Sequence, residues 1–594
     1  MKQFKIILIS FILSILSLFI YFLIFNSILF GDVVIFKYAL HPFNIVQKEP
    51  TIWNFIKFLS TFDFVFSCFI IIHSIVKRLF FKEIDRTKKH FESYKSNNLN
   101  NNKASFNYKL ISNQNLNLTI GFDSNKNLIT IPEKSLYQNF LITGTIGSGK
   151  TSSAMYPFTK QLIEYKSNIT EDKIGMLILD VKGNYYSKVF EYAKSCKREN
   201  DIIVIDLSGK TKYNPLDKPN IHSSVLADRL KTILELFSPN NSEDFWLDKV
   251  QQILTEAIKL CRLYNSGYVD FIELHNLVFD KEYYLDKVTF LKEKFLNNNL
   301  SKEEIFNLLS CLNFFEKEFY CLDERTISIL RSEISRITSL FVSDYQIKST
   351  FCPKREDINF FGFSDLINNG KIVVLNMNIA EYKNLSKLIA TYLKLDFQTE
   401  VISRLKNKNA NILNLYSLNT TRPVCFISDE FQEYITESDS NFFAQSREAK
   451  CINIISTQSY TSLLNALNSE ASVKVIIQNL VNKLWFRNDD IFTIEEAQKQ
   501  IGREDKEKIS KTISENAKET NYNYFFHKFL SKDSNISESV NSYTQTDFVY
   551  DTNFFTRNLE TFSALAFLSN GDSILKPQKL NLIPYFKEDF YEKN

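Results

Sequence analysis

The sequence predicts an α/β protein in which a phosphate-binding loop lies on a mostly parallel sheet, with an all-helical insertion and two N-terminal transmembrane helices. Three observations lead to this prediction. A glycine-rich loop at residues 144–151 joins a short apolar run to a helical segment. Further short apolar runs alternate with helical segments, both before residue 222 and after residue 345. Residues 222–345 themselves show helical periodicity alone. Two long apolar stretches precede all of these.

The two apolar stretches, residues 6–30 and 58–76, are the expected membrane spans. The first has no charged residue and exceeds the roughly 20 residues that a helix needs to cross a bilayer. It is longer than the apolar part of a signal peptide and does not end in small residues. The second is interrupted by Asp63 and His73. Lysines precede the first stretch and a basic cluster follows the second, so both ends should be cytoplasmic, with residues 31–57 on the other side.

Composition limits the class of protein. A chain of 594 residues is long enough for several domains. The net charge of +3 does not demand a nucleic-acid partner, although it leaves room for a local basic surface. The eight cysteines form no C-x-x-C pair and the six histidines form no ligand cluster, which argues against a zinc ribbon or a disulfide framework. The soluble part is therefore expected in a reducing compartment.

The loop GTIGSGKT has the spacing of a phosphate loop, and each of its residues has a chemical reason to be there. The glycines let backbone N–H groups face the phosphates, and the following helix adds its positive N-terminal end. Lys150 is expected at the β- and γ-phosphates of ATP, and the Thr151 hydroxyl at Mg²⁺. The nucleotide-binding residues are Gly144, Thr145, Ile146, Gly147, Ser148, Gly149, Lys150 and Thr151.

The rest of the sheet is predicted from short apolar runs. A hairpin over residues 116–131 precedes the phosphate loop, and parallel strands are expected at residues 176–179, 202–205, 372–375, 424–427 and 452–455. The last strand is predicted at residues 561–568, with a tail from 577. Residues 506–550 are polar and show no clear pattern, and residues 407–421 resemble a surface loop.

An apolar strand that ends in Asp429 and Glu430 supplies the second half of the predicted nucleotide site. A magnesium-bound triphosphate needs one carboxylate beside the metal, and hydrolysis needs a group that orients or deprotonates water. Asp429 suits the first role and Glu430 the second.

Other polar residues lie near the same strand ends. Gln458 follows the next strand and is the candidate sensor of the γ-phosphate. Arg447 lies eleven residues earlier, on the predicted helix between the two strands, and is either a surface cation or a charge delivered to the ATP of a neighbouring subunit. Asp180 and Lys182 are either site residues or simply a polar strand end.

These motifs together resemble the type IV secretion coupling proteins, the TraG/TraD-type conjugation ATPases. The resemblance follows the order of two N-terminal spans, GTIGSGKT, LILDVKGN, YNPL, FWLDKVQQIL, GKIVVLNM, CFISDEFQEY and QSREAKCINIISTQS. It implies a homo-hexameric ATPase of the inner membrane with a RecA-like motor, which passes a DNA–relaxase complex or protein substrates to the proteins of a secretion channel. Asn184 departs from the acidic residue that the family often carries, and the sequence leaves the type of cargo open.

The resulting domain organisation has four parts. Residues 1–90 form a two-span anchor, residues 105–221 and 346–594 form the two parts of the ATPase domain with its tail, and residues 222–345 form the helical insertion, a candidate for substrate recognition. Two alternatives use the same core: a double-stranded DNA pump of the chromosome-segregation type, and a membrane docking platform that uses ATP only to assemble. Nothing after residue 551 suggests the winged-helix domain expected of the DNA pump.

Overall fold

The computed structural model describes residues 33–35, 38–40, 115–180, 182–237, 244–297, 300–407, 418–515, 521–523, 528–530 and 536–587. The chain divides into two compact units, Met1–Ser105 and Phe106–Asn594. In the first unit, β1 (Val33–Ile35) and β2 (Tyr38–Leu40) pair antiparallel. The predicted spans at residues 6–30 and 58–76 lie outside the described residues. Among the residues that are described, no helix combines the length and the apolar character needed to cross a bilayer.

The second unit is built on strands that follow the apolar runs of the sequence. In chain order these strands are β3 (Asn117–Phe122), β4 (Leu128–Pro132), β5 (Phe140–Thr143), β6 (Gly175–Leu179), β7 (Ile202–Ile205), β8 (Ile372–Leu375), β9 (Val424–Ser428), β10 (Cys451–Thr457), β11 (Asn482–Phe486), β12 (Arg503–Glu515), β13 (Asn521–Asn523), β14 (Lys528–Leu530), β15 (Ile536–Phe548), β16 (Ser563–Phe567) and β17 (Gln578–Asn581).

Eleven of these strands form one sheet in the order β4-β3-β17-β16-β11-β5-β10-β9-β6-β8-β7. The seven strands from β11 to β7 are parallel, and β16, β17, β3 and β4 extend one edge antiparallel. The prediction of a mostly parallel sheet is therefore confirmed. Residues of β6 alternate between two hydrophobic cores, one on each face of the sheet: Leu177 and Leu179 pack into one, and Met176 and Ile178 into the other.

Helices cover both faces of the sheet, and the segment of the chain that connects β7 to β8 is helical. They are α1 (Glu133–Leu136), α2 (Tyr156–Glu164), α3 (Tyr185–Ser195), α4 (Ser223–Phe237), α5 (Asp244–Tyr264), α6 (Phe271–Phe279), α7 (Lys281–Leu296), α8 (Lys302–Asn313), α9 (Glu324–Ser343), α10 (Tyr345–Phe351), α11 (Ser364–Asn369), α12 (Ile379–Tyr382), α13 (Asn384–Asn407), α14 (Asp439–Gln445), α15 (Tyr460–Leu467), α16 (Glu470–Asn479) and α17 (Ile491–Ile501).

The region between β7 and β8 contains helices α4 to α11 and, in its described residues, no strand. Aspartate or serine side chains accept hydrogen bonds from the first-turn N–H groups of several of these helices, as at Asp270, Ser301 and Asp323. One hydrophobic core continues from these helices to the sheet. The division of the chain at residues 222 and 345 stays a prediction.

The C-terminal part differs from the prediction in two ways. Residues 578–581, expected in a tail, form β17 and lie in the sheet between β16 and β3. Residues 506–550, expected to lack a pattern, contain most of a two-stranded ribbon over residues 503–548, in which β12 pairs with β15 over their full length. Polar side chains occupy both faces of much of this ribbon, so no alternation of apolar and polar residues reveals it. Residues 408–417 of the predicted surface loop lie outside the described residues.

Candidate nucleotide-binding site

The phosphate loop lies at the carboxyl ends of the parallel strands, where it leaves β5. Backbone hydrogen bonds fix the loop to both neighbouring strands. The Gly144 N–H donates to the carbonyl of Gln458, after β10, at 3.2 Å, and the Thr145 N–H donates to the carbonyl of Arg487, after β11, at 2.8 Å. The loop is therefore held at the edge of the sheet where ligands of open α/β proteins bind.

The glycine at position 149 is required by the conformation and by the packing of the loop. Its φ is +97°, and a Cβ there would lie 2.5 Å from the ring of Phe562. The Phe562 N–H also donates to the carbonyl of Ser148, at 3.1 Å. The segment before β16 therefore closes tightly over the loop.

Lys150 lies inside the loop, with its side chain directed back at the loop's own backbone. Its Nζ donates to the carbonyl of Gly144 at 2.5 Å and to that of Thr145 at 3.4 Å. Burial lowers the pKa of Lys150, and the carboxylates of Glu430 and Asp429 offset part of this effect. A cation in this position is available to phosphate oxygens that enter the loop.

Thr151 and Asp429, the two predicted magnesium ligands, are hydrogen-bonded to each other. The Thr151 hydroxyl donates to Asp429 Oδ2 at 2.9 Å, and the Ser456 hydroxyl donates to Asp429 Oδ1. Mg²⁺ takes oxygen ligands and is commonly bound through one or two protein groups plus phosphates and water. The pair fits that pattern, whereas the described residues contain no cluster of three or more His, Cys, Asp or Glu side chains that could hold a metal alone.

Glu430 has a left-handed backbone, with φ 52° and ψ 52°. Such a conformation is costly for a residue other than glycine and often marks a functional site. Its side chain accepts hydrogen bonds from Gln432 Nε2 at 2.8 Å and from Gln458 Nε2 at 3.4 Å. Lys182 Nζ lies 3.9 Å from the other carboxylate oxygen. Gln458 thus contacts Glu430 through its side chain and the phosphate loop through its backbone.

The carboxylate of Asp180 holds the backbone at the end of β6. Its carboxylate accepts hydrogen bonds from the N–H groups of Lys182, Asn184 and Tyr185, at 3.1, 2.9 and 3.1 Å, at the beginning of α3. Burial raises its pKa, and these backbone N–H groups oppose the increase. The sequence left open whether Asp180 and Lys182 are site residues or a polar strand end. Asp180 organises the end of β6 through these backbone hydrogen bonds, whereas Lys182 reaches Glu430.

Arg447 lies far from the phosphate loop of its own chain. It is exposed in the turn between α14 and β10, and not on the helix as predicted, because α14 ends at Gln445. It precedes β10, whereas Gln458 follows that strand. Seven strand residues at about 3.3 Å each separate the two positions by about 20 Å.

Three contacts of the site were not predicted from the sequence. Ser456 lies in the motif STQS and Gln432 lies two residues after Glu430, so both were within reach of a motif-based argument. Phe562 lies more than 400 residues from the loop that it covers, and no local pattern indicates that contact.

A family model described as the TraM recognition site of TraD and TraG matches residues 423–549. No curated protein matches the sequence significantly.

The fold is similar to that of solved coupling proteins. The bacterial conjugative coupling protein TrwBdeltaN70, in an unbound monoclinic form, matches with a TM-score of 0.51 and 12% identity, over 77% of this chain and 87% of that chain. The plasmid coupling protein TrwB in complex with ADP and Mg²⁺ matches with a TM-score of 0.50 and 12% identity, over 76% and 87% of the two chains. Its complex with a non-hydrolysable ATP analogue matches with a TM-score of 0.50 and 12% identity, over 79% and 94%.

At this level of identity the solved structures establish the similarity of the fold alone. Together with the family model, which covers the stretch from β9 to β15, they confirm the resemblance to TraG/TraD-type coupling proteins that the motifs indicate.

Proposed function

We propose that this chain is a membrane-anchored ATPase that acts as a type IV secretion coupling protein. In this role it hydrolyses ATP to drive a DNA–relaxase complex, protein substrates or both into a secretion channel at the inner membrane. The observation that carries the proposal is the contact between the phosphate loop and β9, in which Thr151 is hydrogen-bonded to Asp429 while Glu430 and Gln458 lie beside the loop. The TrwB complexes with ADP and Mg²⁺ and with an ATP analogue support the choice of ligand.

The chain's own residues account for binding. Backbone N–H groups of the loop and of the first turn after it face the phosphates, and Lys150 exchanges the carbonyl oxygens of Gly144 and Thr145 for oxygens of the β- and γ-phosphates. Thr151 and Asp429 hold Mg²⁺, which neutralises charge on the triphosphate when bound.

Hydrolysis needs a base near the γ-phosphate, and Glu430 has the right surroundings. Two glutamine amides, those of Gln432 and Gln458, orient its carboxylate. Glu430 accepts the proton of the attacking water. Gln458 senses the γ-phosphate through its side chain, and its carbonyl accepts a hydrogen bond from the loop backbone at Gly144.

The proposed assembly is a homo-hexamer with its bulk in the cytoplasm and a two-span anchor. The match of residues 423–549 to a model named for TraM recognition supports a partner from the DNA-processing complex for this part of the chain. The predicted spans supply the attachment to the membrane.

The test is Lys150→Ala in the full-length chain, with Lys302→Ala, an exposed lysine of α8, as the control. We expect Mg²⁺-dependent ATP hydrolysis to fall to background in the first variant and to persist in the second. Donor cells that carry Lys150→Ala should also lose transfer of a mobilisable plasmid or effector. Normal transfer without hydrolysis would favour the docking platform, and unchanged hydrolysis would contradict the placement of Lys150 at the nucleotide.

A further inference from the structure

We infer that the base of the bound nucleotide packs against an aromatic wall formed by Phe562, Tyr585 and Phe586. The inference rests on the proposed function, because it concerns the same nucleotide. It adds a binding site for the nucleoside end, which neither the phosphate loop nor the acidic strand supplies.

The direction of the nucleotide follows from the order of the sheet. The γ-phosphate end must face Asp429 and Glu430, which follow β9. In the sheet, β9 and β10 lie on one side of β5, and β11 and β16 lie on the other. The nucleoside end must therefore leave the loop toward β11 and β16, and Phe562 is the residue that immediately precedes β16.

The aromatic wall begins in direct contact with the phosphate loop. The Phe562 ring packs on Gly149, at the position where any side chain on residue 149 would collide with it. Phe562 has a φ of +67°, an unusual conformation for a bulky residue, and its backbone is held from both sides. Its N–H donates to Ser148, and its carbonyl accepts from the Leu582 N–H at 2.8 Å.

The wall extends outward from Phe562 through two further rings. The Phe562 and Phe586 centroids are 5.8 Å apart, and those of Tyr585 and Phe586 are 5.5 Å apart. Tyr585 is anchored on Tyr156 of α2, at 5.3 Å, and Lys188 Nζ lies 4.5 Å from its ring. The segment after β17 is thus fixed to the helix that follows the phosphate loop.

Phe586 is the part of the wall that is open to a ligand. It keeps 47% of its surface exposed, although its ring packs against those of Phe562, which contacts the phosphate loop, and Tyr585. A large exposed ring that is one aromatic neighbour away from a phosphate loop offers what a planar base requires, because every base has a flat π face for stacking. Stacking of this kind does not depend on the hydrogen-bonding edge of the base.

The test compares a ligand that has a base with one that lacks it. Binding of ADP and of inorganic tripolyphosphate, each with Mg²⁺, is measured by calorimetry on the purified full-length chain. We expect Phe586→Ala to weaken ADP binding about 10- to 100-fold and to leave tripolyphosphate binding within about twofold of the unmodified protein. Phe586→Trp should restore ADP binding. Tyr345→Ala, an exposed aromatic residue in the helical region, is the control.

Each alternative result has a distinct meaning. Unchanged ADP binding in Phe586→Ala, or equal weakening of both ligands, would overturn the inference and leave the wall as a cover for the loop. Lys150→Ala should weaken both ligands, since both carry phosphates. If Lys150→Ala altered neither, the proposed function itself would fail, whereas an effect of Lys150→Ala without one of Phe586→Ala would remove only the aromatic site.

Discussion

Asp429 and Glu430 are adjacent in sequence but have different partners, and this difference separates their expected roles. Asp429 accepts hydrogen bonds from the hydroxyls of Thr151 and Ser456, whereas Glu430 accepts them from the amides of Gln432 and Gln458. The carboxylate of Asp429 is thus directed at Thr151, the other predicted magnesium ligand, and that of Glu430 at two glutamine side chains.

The first prediction uses this difference. Glu430→Gln keeps the shape of the side chain and removes the base, so hydrolysis should fall about 10²- to 10⁴-fold while ATP binding persists. Asp429→Ala should instead weaken binding only when Mg²⁺ is present. Both effects are measured by steady-state hydrolysis and by nucleotide binding with Mg²⁺ or with EDTA. Glu437→Gln, an exposed glutamate nearby, is the control. Equal loss of binding in both variants would show that the two roles are wrongly assigned.

Lys483 on β11 is buried, has no carboxylate partner among the described residues, and gives the second prediction. Its Nζ donates to the carbonyl of Leu480 at 2.7 Å, and burial lowers its pKa from 10.5 to about 7. Between these two values the unfolded chain binds a proton that the folded chain does not. The free energy of unfolding should therefore rise with pH across this window, by up to about 1.4 kcal/mol per pH unit from this residue.

Lys483→Met should remove this dependence. The variant should be more stable than the unmodified protein near pH 7, and the difference should shrink toward pH 10. Urea unfolding at several pH values measures it, with Lys576→Met, an exposed lysine, as the control. The same pH dependence in Lys483→Met and in the unmodified protein would exclude Lys483 as its source.

Among individual site residues, the sequence predicted those that lie in motifs and missed those that contact the site from a distant part of the chain. The loop from Gly144 to Thr151 was predicted because its chemistry is contained in eight consecutive residues. The roles of Asp429, Glu430 and Gln458 stay predictions, although all three lie beside the loop. Phe562 was missed because its contact depends on the pairing of strands that are distant in sequence.

At the scale of elements, α13 connects the nucleotide site with the helical region. On one part of α13, Asp396 is buried and contacts Lys218 Nζ at 2.8 Å, Arg229 Nη1 at 3.0 Å and the Tyr213 hydroxyl at 2.9 Å. Burial alone would raise the pKa of Asp396, but Lys218 and Arg229 outweigh it and hold the pKa below its ordinary value.

The same helix also holds the segment that follows Glu430. Lys394 is fully buried, and its Nζ donates to Asp439 at 2.6 Å and to the carbonyl of Tyr434 at 2.7 Å. A movement of residues 430–439 would therefore act on α13, and α13 is tied through Asp396 to α4.

The third prediction tests the importance of this connection. Asp396→Asn leaves the buried Arg229 and the half-buried Lys218 without their counter-charge, so the free energy of unfolding should fall by about 3–5 kcal/mol. Glu470→Gln breaks the exposed pair with Lys474 and should leave the free energy of unfolding nearly unchanged, because solvent screens that pair. Chemical unfolding of both variants measures the difference. Similar losses in the two variants would mean that the Asp396 cluster contributes no more than a surface ion pair.

The element predictions succeeded where a strand is both apolar and buried. Parallel strands such as β6 and β9 are buried along their whole length and appear as continuous apolar runs. In contrast, β11 and β17 carry lysine and asparagine, and β12 and β15 are largely exposed. Their pairing is set by neighbours in the sheet or the ribbon, which no local pattern reveals.

At the scale of the whole molecule, the position of Arg447 bears on the proposed ring. A side chain about 20 Å from its own phosphate loop cannot contact its own nucleotide. Arg447 is nevertheless exposed, and it makes no ion pair among the described residues. The remaining possibility for a role in hydrolysis is the nucleotide of a neighbouring subunit.

The fourth prediction follows from this arrangement. If Arg447 completes the site of a neighbour, Arg447→Ala should bind ATP normally and lose about 10³- to 10⁵-fold in hydrolysis. Arg447→Ala subunits mixed with Glu430→Gln subunits should recover part of the activity, because one type of interface then has both an intact base and an intact cation. Arg325→Ala, another exposed arginine, is the control. An unaffected rate, or no recovery in rings shown to be mixed, would leave Arg447 as a surface charge.

The position of β17 determines when the sheet can be completed during synthesis on the ribosome. Among the described strands, β17 is the one that joins the hairpin of β3 and β4 to the rest of the sheet, so this hairpin must wait for residues 578–581. At about 5–20 residues per second, that wait is roughly 20 to 90 s. Phe562, which closes over the phosphate loop, also arrives late. A nascent chain that has already made its phosphate loop therefore completes neither the sheet nor the cover of that loop until residues 562–581 have been made.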